Sequence, residues 1–251
     1  MKRRTAKRPE HCRALVTGGS GDLGQAICRR LAGEGLELIV HAASRLERAE
    51  QTAEAIRAEG GRAQAVQFDL ADAEATAAAM TALTAEAPIG IVVHNAGLHQ
   101  DAPMAGMSED AWRRVMAVNL DGFFRVVQPT LLGMSRLRFG RVIAISSVAA
   151  RLGNRGQANY AAAKAGLHGA ILSLSREMAG RGLSFNTIAP GLIDTGMIEA
   201  EQIEATLPLI PAGRIGQPDE VAALVAFLCR DEAAYINAQM IGIDGGMAAG
   251  H

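Results

Sequence analysis

A serine, a tyrosine and a lysine stand at a spacing that suits carbonyl reduction. Tyr160 and Lys164 are four residues apart, so on a helix they share one face, and Ser147 precedes the tyrosine by 13 residues. Hydride transfer to a ketone leaves an alkoxide, which needs a proton donor and a hydrogen-bonding partner. We expect Tyr160 to donate the proton and Ser147 to orient the oxygen. The Lys164 ammonium is expected to lower the pKa of the phenol.

Asn119 is a further candidate, because an asparagine in the interior of a predicted helix needs a hydrogen-bonding reason. We expect it to position a water molecule that returns protons from solvent. A tyrosine and a lysine at this spacing also occur by chance, as a packed ring beside a surface ammonium. The chain has only two tyrosines, and Tyr160 follows a glycine-rich loop and a strand-end serine. This combination favours a catalytic site.

Seven short apolar segments alternate with stretches long enough for crossover helices. They read RALVT, ELIVHA, AQAVQF, GIVVHN, RVIAIS, LSFNTIA and QMIGID. Apolar runs without alternation predict strands that helices cover on both faces. We therefore expect an α/β, single-domain Rossmann fold with a doubly wound, seven-stranded parallel sheet. Ligands of such sheets bind beyond the carboxyl ends of the strands, where this chain carries TGGSG, FDL, HNAG, SS and APG.

The 251 residues suit one domain. We assign residues 1–12 to a disordered basic tail and residues 13–251 to a dinucleotide-binding reductase domain with a substrate lid at about 196–218. The tail could instead be an interaction arm.

Composition excludes several classes of partner. Twenty-five basic and 26 acidic residues nearly cancel, which gives no overall field for nucleic acid or an anionic membrane. The sequence has no apolar run of membrane-spanning length. Cys12, Cys28 and Cys229 show neither a CxxC pair nor a metal-binding spacing. We expect a cytoplasmic protein without a metal site.

A glycine-rich turn follows the first strand and opens the helix QAICRRLA. Glycines permit a tight turn there, and backbone N–H groups at a helix start can approach a pyrophosphate. The predicted contacts are Gly18, Ser20, Gly21, Asp22, Leu23 and Gly24. Asp22 is equally a residue that suits a helix N-terminus, and its charge would weaken cofactor binding if it faced the phosphates.

The second strand ends without the acidic residue that selects NAD. It continues past His41 to Ser44 and Arg45, and a guanidinium suits a 2′-phosphate. We therefore expect NADPH, bound by Arg45 with help from Ser44 or His41. Alternatively, Arg45 is a solvated residue that opens the next helix. Further contacts are predicted where the third and fourth strands end, at Asp69, Leu70, Asn95, Ala96 and Gly97.

From Arg13 to Met247 the chain resembles the short-chain dehydrogenase/reductases. Within that family it is most similar to 3-oxoacyl-(acyl-carrier-protein) reductases, through GNRGQANYAAAKAGLHGA, APGLIDTGM, EVAALVAFL and INAQMIGIDGGM. The resemblance implies a catalytic tetrad of Asn119, Ser147, Tyr160 and Lys164, with Lys164 also on the nicotinamide ribose. It further implies that Ile193 and Thr195, after Pro190 and Gly191, contact the carboxamide and phosphate region.

The same resemblance implies NADPH-dependent reduction of a 3-oxoacyl group on acyl carrier protein to the 3-hydroxyacyl product, with a proton from Tyr160. It implies docking of the acidic carrier at Arg138 and Arg181, and a homotetramer built through segments 112–137 and 157–179. GNRGQ and GLIDTGMI resemble ketoreductases of aryl-polyene and polyketide-like pathways. The alternatives are a dehydrogenase of a free alcohol, sugar or steroid and a non-catalytic nucleotide-binding subunit.

One motif departs from the family pattern. Members usually carry TGxxxGxG, whereas Asp22 occupies the middle glycine here. The glycine-rich loop also lacks a basic residue that often helps to select NADPH. The expected cofactor preference therefore depends on Arg45.

Overall fold

The computed structural model describes residues 7–196 and 200–250. These residues form a parallel sheet of seven strands in the order β3-β2-β1-β4-β5-β6-β7. All neighbouring strands pair in parallel. The strands are β1 Arg13–Thr17, β2 Glu37–Ala42, β3 Arg62–Gln67, β4 Ile89–His94, β5 Gly140–Ile145, β6 Leu183–Pro190 and β7 Met240–Ile243. Each predicted strand is confirmed to within one residue at either end. The central strands β1, β4, β5 and β6 are buried throughout, as expected of strands that helices cover on both faces.

Helices cover both faces of the sheet, which confirms the doubly wound fold. They are α1 Asp22–Gly33, α2 Leu46–Ala58, α3 Ala73–Glu86, α4 Glu109–Met116, α5 Gly122–Leu137, α6 Ala149–Leu152, α7 Ala158–Met178, α8 Ala200–Thr206 and α9 Pro218–Cys229. One apolar core packs α1, α2 and α9 on the sheet, and the other packs α3, α5 and α7. Along β1, Val16 enters the first core and Leu15 the second, as the strand period of two requires.

The long helix predicted over 112–137 is interrupted. A π-helical turn, Ala117–Asp121, joins α4 to α5. Such turns widen the helix locally and often occur at functional sites. The candidate residue Asn119 lies at the centre of this turn.

The structure adds detail to two predicted segments, the N-terminal tail and the substrate lid. Arg8 donates from its backbone N–H to Asp231 Oδ1 (2.9 Å) and from Nη2 to the Glu34 carbonyl (2.8 Å), and Cys12 is buried. The last residues of the predicted tail are therefore packed against the domain, since these bonds fix them. The predicted lid contains α8 and a 3₁₀ turn, Leu207–Leu209, and its residues 197–199 lie outside the described residues.

No helix in the described part of the chain has the length and apolar character needed to cross a membrane.

Candidate active site

A groove with three lobes follows the carboxyl ends of the strands. The first, here called the nucleotide lobe, has a volume of about 330 Å³. Ten of the predicted cofactor residues line it: Gly18, Ser20, Gly21, Ser44, Arg45, Asp69, Leu70, Asn95, Ala96 and Gly97. It therefore brings together the glycine-rich turn and the ends of β2, β3 and β4.

The central lobe, about 530 Å³, joins the nucleotide lobe to the outer lobe, about 420 Å³. The central lobe is lined by the remaining predicted groups Leu23, Ser147, Tyr160, Lys164, Pro190, Gly191, Ile193 and Thr195. Apolar residues of the outer lobe include Val148, Leu152, Leu209 and Met247. Ser147 and Tyr160 border both of these lobes. Asp22, Gly24 and Asn119 do not line any of the three.

The glycine-rich turn is close-packed. Gly18 has a φ of +66°, which favours glycine, and a Cβ at position 24 would lie 2.1 Å from the Gly18 carbonyl oxygen. The Gly18 N–H donates to His41 Nδ1 (3.1 Å), and Asn95 Nδ2 donates to the Gly18 carbonyl (3.1 Å). A side chain at position 24 would therefore clash with the turn, so the turn requires glycine there.

His41 has a structural role that sequence reasoning missed. Its Nδ1 accepts from Gly18, so Nε2 carries the proton and donates to the Phe68 carbonyl (2.8 Å). Burial lowers the pKa of His41 to about 4, so the ring is neutral at pH 7. The expectation that His41 helps to bind a phosphate was wrong, because both ring nitrogens are already used and the ring carries no charge.

The carboxylate of Asp22 forms an ion pair. Its Oδ1 lies 3.1 Å from Nη2 of Arg48, a residue of α2, and both side chains are about one-third exposed. Sequence reasoning did not identify Arg48, because 26 residues separate it from Asp22 in the chain. The two side chains meet because β1 and β2 are neighbours in the sheet. Arg45 is exposed, and no ion pair involves it within the described residues.

Asp69 is held by two donors at the end of β3. Its Oδ1 accepts from the Ala71 N–H (2.9 Å) and its Oδ2 from Arg114 Nη2 (2.9 Å). Burial would raise the pKa of Asp69, but these two hydrogen bonds outweigh burial and lower it. The side chain is therefore an ionised carboxylate that shapes the nucleotide lobe together with Arg114, which also lines that lobe.

Ser147 and Tyr160 border the same two lobes, and the Ser147 hydroxyl is near enough to act on the pKa of Tyr160. Burial raises the pKa of Tyr160, and the Ser147 hydrogen bond opposes this rise only in part. The net shift is therefore opposite to the expected lowering, and the negative charge of Asp101 adds to the rise. Lys164 Nζ lies 5.6 Å from the centre of the Tyr160 ring.

Lys164 is buried and donates from Nζ to the Ile145 carbonyl (2.9 Å). Burial lowers the pKa of Lys164 to about 8, since nothing offsets the loss of hydration. No ion pair of Lys164 is found within residues 7–196 and 200–250. A buried ammonium that donates to a backbone carbonyl is unusual for a lysine that only supports the fold.

Asn119 presents an unsatisfied acceptor to Lys164. Its Nδ2 donates to the Leu98 and Val115 carbonyls (2.8 and 2.9 Å), while its buried Oδ1 has no partner. A Cβ at Gly97 would lie 2.7 Å from Asn119 Oδ1 and 2.9 Å from Lys164 Nζ. The glycine therefore keeps open a space between a hydrogen-bond acceptor and an ammonium.

His94 ties the π-helical turn to the sheet. Its Nε2 lies 3.0 Å from the Asn119 carbonyl, and its Nδ1 lies 3.3 Å from Thr17 Oγ1. Thr17 Oγ1 in turn accepts from the backbone N–H groups of Asn95 and Ala96. Burial lowers the pKa of His94 to about 3. The sequence signal for both His41 and His94 is a polar residue near the end of an otherwise apolar buried strand.

Arg138 and Arg181 are exposed, but they lie far from the groove in their own chain. They directly precede β5 and β6, whereas Ser147 follows β5. Six residues of strand span about 20 Å, so sheet length separates these arginines from the catalytic groups.

Comparisons with known proteins agree with this geometry. A family model described as Enoyl-(Acyl carrier protein) reductase matches residues 20–248. A 3-oxoacyl-(acyl-carrier-protein) reductase FabG of Aggregatibacter actinomycetemcomitans is 43% identical over 236 residues, or 93% of this chain and 98% of the relative. FabG proteins of Vibrio cholerae serotype O1 and Pseudomonas aeruginosa are 42% and 40% identical, over 93% of this chain and 96% of each relative.

Proposed function

The chain belongs to the short-chain dehydrogenase/reductase family, and we propose that it uses NADPH to reduce a 3-oxoacyl group on acyl carrier protein to the 3-hydroxyacyl product. The observation that carries this proposal is the position of Ser147, Tyr160 and the buried Lys164, since Ser147 and Tyr160 border both the central and the outer lobe and Lys164 lines the central lobe. One lobe suits a nicotinamide and the other suits an acyl chain. The relatives that carry this activity in their names cover nearly the whole chain.

The residues present fit a dinucleotide. The start of α1 and the glycine-rich turn offer backbone N–H groups to a pyrophosphate, and Arg45 offers a guanidinium to a 2′-phosphate. In the central lobe, Lys164 Nζ is placed to hold ribose hydroxyls, and Ile193 and Thr195 border the region expected for the carboxamide. When bound, the cofactor supplies the hydride.

The protein's own part in the reaction begins with the ketone oxygen. That oxygen can accept hydrogen bonds from Ser147 and Tyr160, which line the same lobes of the groove. The raised pKa of Tyr160 keeps the phenol protonated at neutral pH, so it is available as the acid. As the alkoxide forms, the phenolic proton moves to it and the O–H bond of Tyr160 breaks.

The phenolate left on Tyr160 needs a proton for the next turnover. Lys164 lies on the same face of α7, and its ammonium is unscreened by solvent. The space between Lys164 Nζ and Asn119 Oδ1 suits a hydrogen-bonded water or hydroxyl, because it is flanked by a donor and an orphaned acceptor. We therefore assign proton return to Lys164 and Asn119.

Docking of the carrier at Arg138 and Arg181 requires a second copy of the chain. Both arginines lie at the amino edge of the sheet, so a carrier bound there would deliver its acyl chain to a neighbouring subunit. A homotetramer through α5 and α7 is consistent with exposed apolar side chains on these helices, at Phe124, Leu132 and Leu172.

We place this activity in the cytoplasm, because all three cysteines are unpaired thiols. An aryl-polyene or polyketide-like acyl chain remains a prediction of the sequence resemblance.

A second candidate function is reduction of an enoyl carrier, which the description of the matching family model favours. Ser147 and Tyr160 suit carbonyl reduction better, because both hydroxyls line the lobes where an alkoxide at the reacting carbon could accept from them. In enoyl reduction the negative charge develops on the thioester oxygen, and the final proton goes to carbon.

The test is NADPH oxidation by the purified full chain with acetoacetyl-carrier, crotonyl-carrier and cyclohexanone, repeated with NADH. We expect the highest kcat/KM with acetoacetyl-carrier and NADPH, and the 3-hydroxy product by mass spectrometry. Faster turnover of crotonyl-carrier would establish the enoyl activity instead. Turnover of cyclohexanone alone would identify a dehydrogenase of free alcohols. NADPH binding without turnover of any substrate would indicate a non-catalytic subunit.

A further inference from the structure

A second polar group borders the groove beside the Ser147–Tyr160 pair. His99 follows β4 and lines both the central and the outer lobe. Its ring stands edge-on to the Tyr160 ring, with centroids 6.2 Å apart and planes at 77°. Nothing in the reduction described above uses this imidazole.

His99 is held by an ordered network. Its Nδ1 lies 3.0 Å from Asp101 Oδ1, and Asp101 Oδ2 accepts from Gln157 Nε2 (2.9 Å). Gln157 Oε1 accepts from Asn154 Nδ2 (3.0 Å). The network therefore fixes the loop after β4 against the loop before α7, on either side of the outer lobe.

The network leaves one polar atom unused. Both Asp101 oxygens and both polar ends of Gln157 have partners, and the carboxylate requires a proton on His99 Nδ1. Within residues 7–196 and 200–250, His99 Nε2 has no hydrogen-bond partner, and the side chain is 66% exposed. His99 Nε2 is thus the atom that this network can offer to a ligand in the groove.

A 3-oxoacyl thioester carries two oxygens, and the Ser147–Tyr160 pair accounts for only the ketone. We propose that His99 binds the second oxygen, the thioester carbonyl, and so selects 3-oxoacyl thioesters over simple ketones. In its imidazolium form, Nε2–H donates to the thioester carbonyl while Asp101 holds Nδ1–H. Asp101 and Gln157 act as positioning residues. This inference rests on the proposed function, because it concerns the second oxygen of the same substrate.

The experiment compares two compounds that differ only at that oxygen. One is acetoacetyl-pantetheine, and the other is its 3-oxobutyl thioether, in which a methylene replaces the thioester carbonyl. The variants are His99→Phe, which keeps a ring beside Tyr160, and His99→Gln, whose amide can still donate. Gln100→Ala, the adjacent position, is the matched control.

We expect His99→Phe to lower kcat/KM for the thioester by about 10-fold or more, mainly through KM, because a charge-assisted hydrogen bond is lost. The thioether should be reduced at an unchanged rate. His99→Gln should restore most of the loss, Asp101→Asn should show the same selective loss to a smaller extent, and Gln100→Ala should match the wild type.

An equal loss on both compounds would overturn the inference, because it would show that His99 only supports the fold of the loop. Unchanged kinetics in His99→Phe would also overturn it. Failure of the proposed function is distinguishable in the wild type. A non-catalytic subunit would reduce neither compound although NADPH fluorescence reports cofactor binding, and a dehydrogenase of free alcohols would reduce the thioether at least as fast as the thioester.

Discussion

The nucleotide lobe and the central lobe are built in opposite ways. Around the nucleotide lobe, charges are partly exposed and paired, as in Asp22–Arg48 and Asp69–Arg114. At the central lobe, Lys164 is buried with the Ile145 carbonyl as a hydrogen-bond partner, and Oδ1 of the neighbouring Asn119 has none. Exposed pairs contribute about 0–1 kcal/mol, whereas burying an unsatisfied polar group costs more.

This contrast indicates that the nucleotide lobe adjusts cofactor preference, whereas the central lobe carries out the reaction. Exposed pairs can change without loss of the fold, so they are suited to adjusting which cofactor is preferred. Buried, poorly compensated groups oppose folding, so their presence indicates a function that needs them. Removal of a buried charge from the central lobe should therefore have large and opposed effects on activity and stability, whereas changes around the nucleotide lobe should have small effects on binding.

The largest combined effect on activity and stability is expected for Lys164→Met. Activity should fall by about 100-fold or more, because proton return and ribose contact are lost. The free energy of unfolding at pH 7 should rise by about 1–3 kcal/mol, because a buried ammonium is removed. Steady-state kinetics and urea unfolding measure the two changes.

The pH dependence provides the control. The folded-state pKa of Lys164, about 8, lies below its unfolded value of 10.5, so the buried charge opposes folding below pH 8. The penalty fades as the pH rises from 8 towards 10.5. The stability gain in Lys164→Met should therefore be smaller at pH 9.5 than at pH 7. A variant less stable than the wild type at pH 7 would contradict the contrast between the lobes.

A second prediction concerns His41 and His94, whose folded-state pKa values of about 4 and about 3 lie below the ordinary 6.5. As pH falls below 6.5, the unfolded chain takes up protons that the folded chain excludes, so stability decreases. Between pH 6.5 and 4.5 we expect a loss of about 2–4 kcal/mol, measured by urea unfolding.

His94→Asn tests the assignment of this loss. It removes one of the two titrating rings, so its stability should depend less on pH in the same interval, whatever its absolute stability. His168, whose pKa burial also lowers, adds a contribution of the same sign that this variant leaves in place. An identical pH dependence in the variant and the wild type would show that His94 is not a source of the acid sensitivity.

The smallest effects are expected in the nucleotide lobe. Asp22→Asn should lower the Kd for NADPH by a few-fold, because Arg48 is released and a negative charge is removed. Arg45→Gln should raise the Kd for NADPH by about 10-fold, because a guanidinium contact to the 2′-phosphate is lost. NADH binding should be nearly unchanged in both. Fluorescence titration measures each Kd.

The matched control for these variants is Arg57→Gln. Arg57 belongs to α2, as Arg48 does, but it pairs with Glu50 away from the lobe. It should leave both affinities unchanged. If Arg45→Gln weakened NADH and NADPH equally, Arg45 would not be the 2′-phosphate contact.

Sequence alone predicted the strands and their shared edge, because buried parallel strands are marked by unbroken apolar runs. It could not predict the π-helical turn at Asn119, since the helical hydrogen-bond register there depends on packing against β4 and α7. The Asp22–Arg48 pair likewise depends on strand order. The spacing of Tyr160 and Lys164 established a shared face but not their burial, and burial reversed the expected direction of the Tyr160 pKa shift.

The most direct test of the central claim is Tyr160→Phe, which removes the phenolic hydroxyl and keeps the ring. NADPH oxidation with acetoacetyl-carrier should fall by about 1,000-fold, because the proton donor is lost. NADPH affinity and the free energy of unfolding should stay close to those of the wild type. A variant that retains wild-type turnover would contradict the assignment of Tyr160 as the acid and, with it, the account of the central lobe as the site of chemistry.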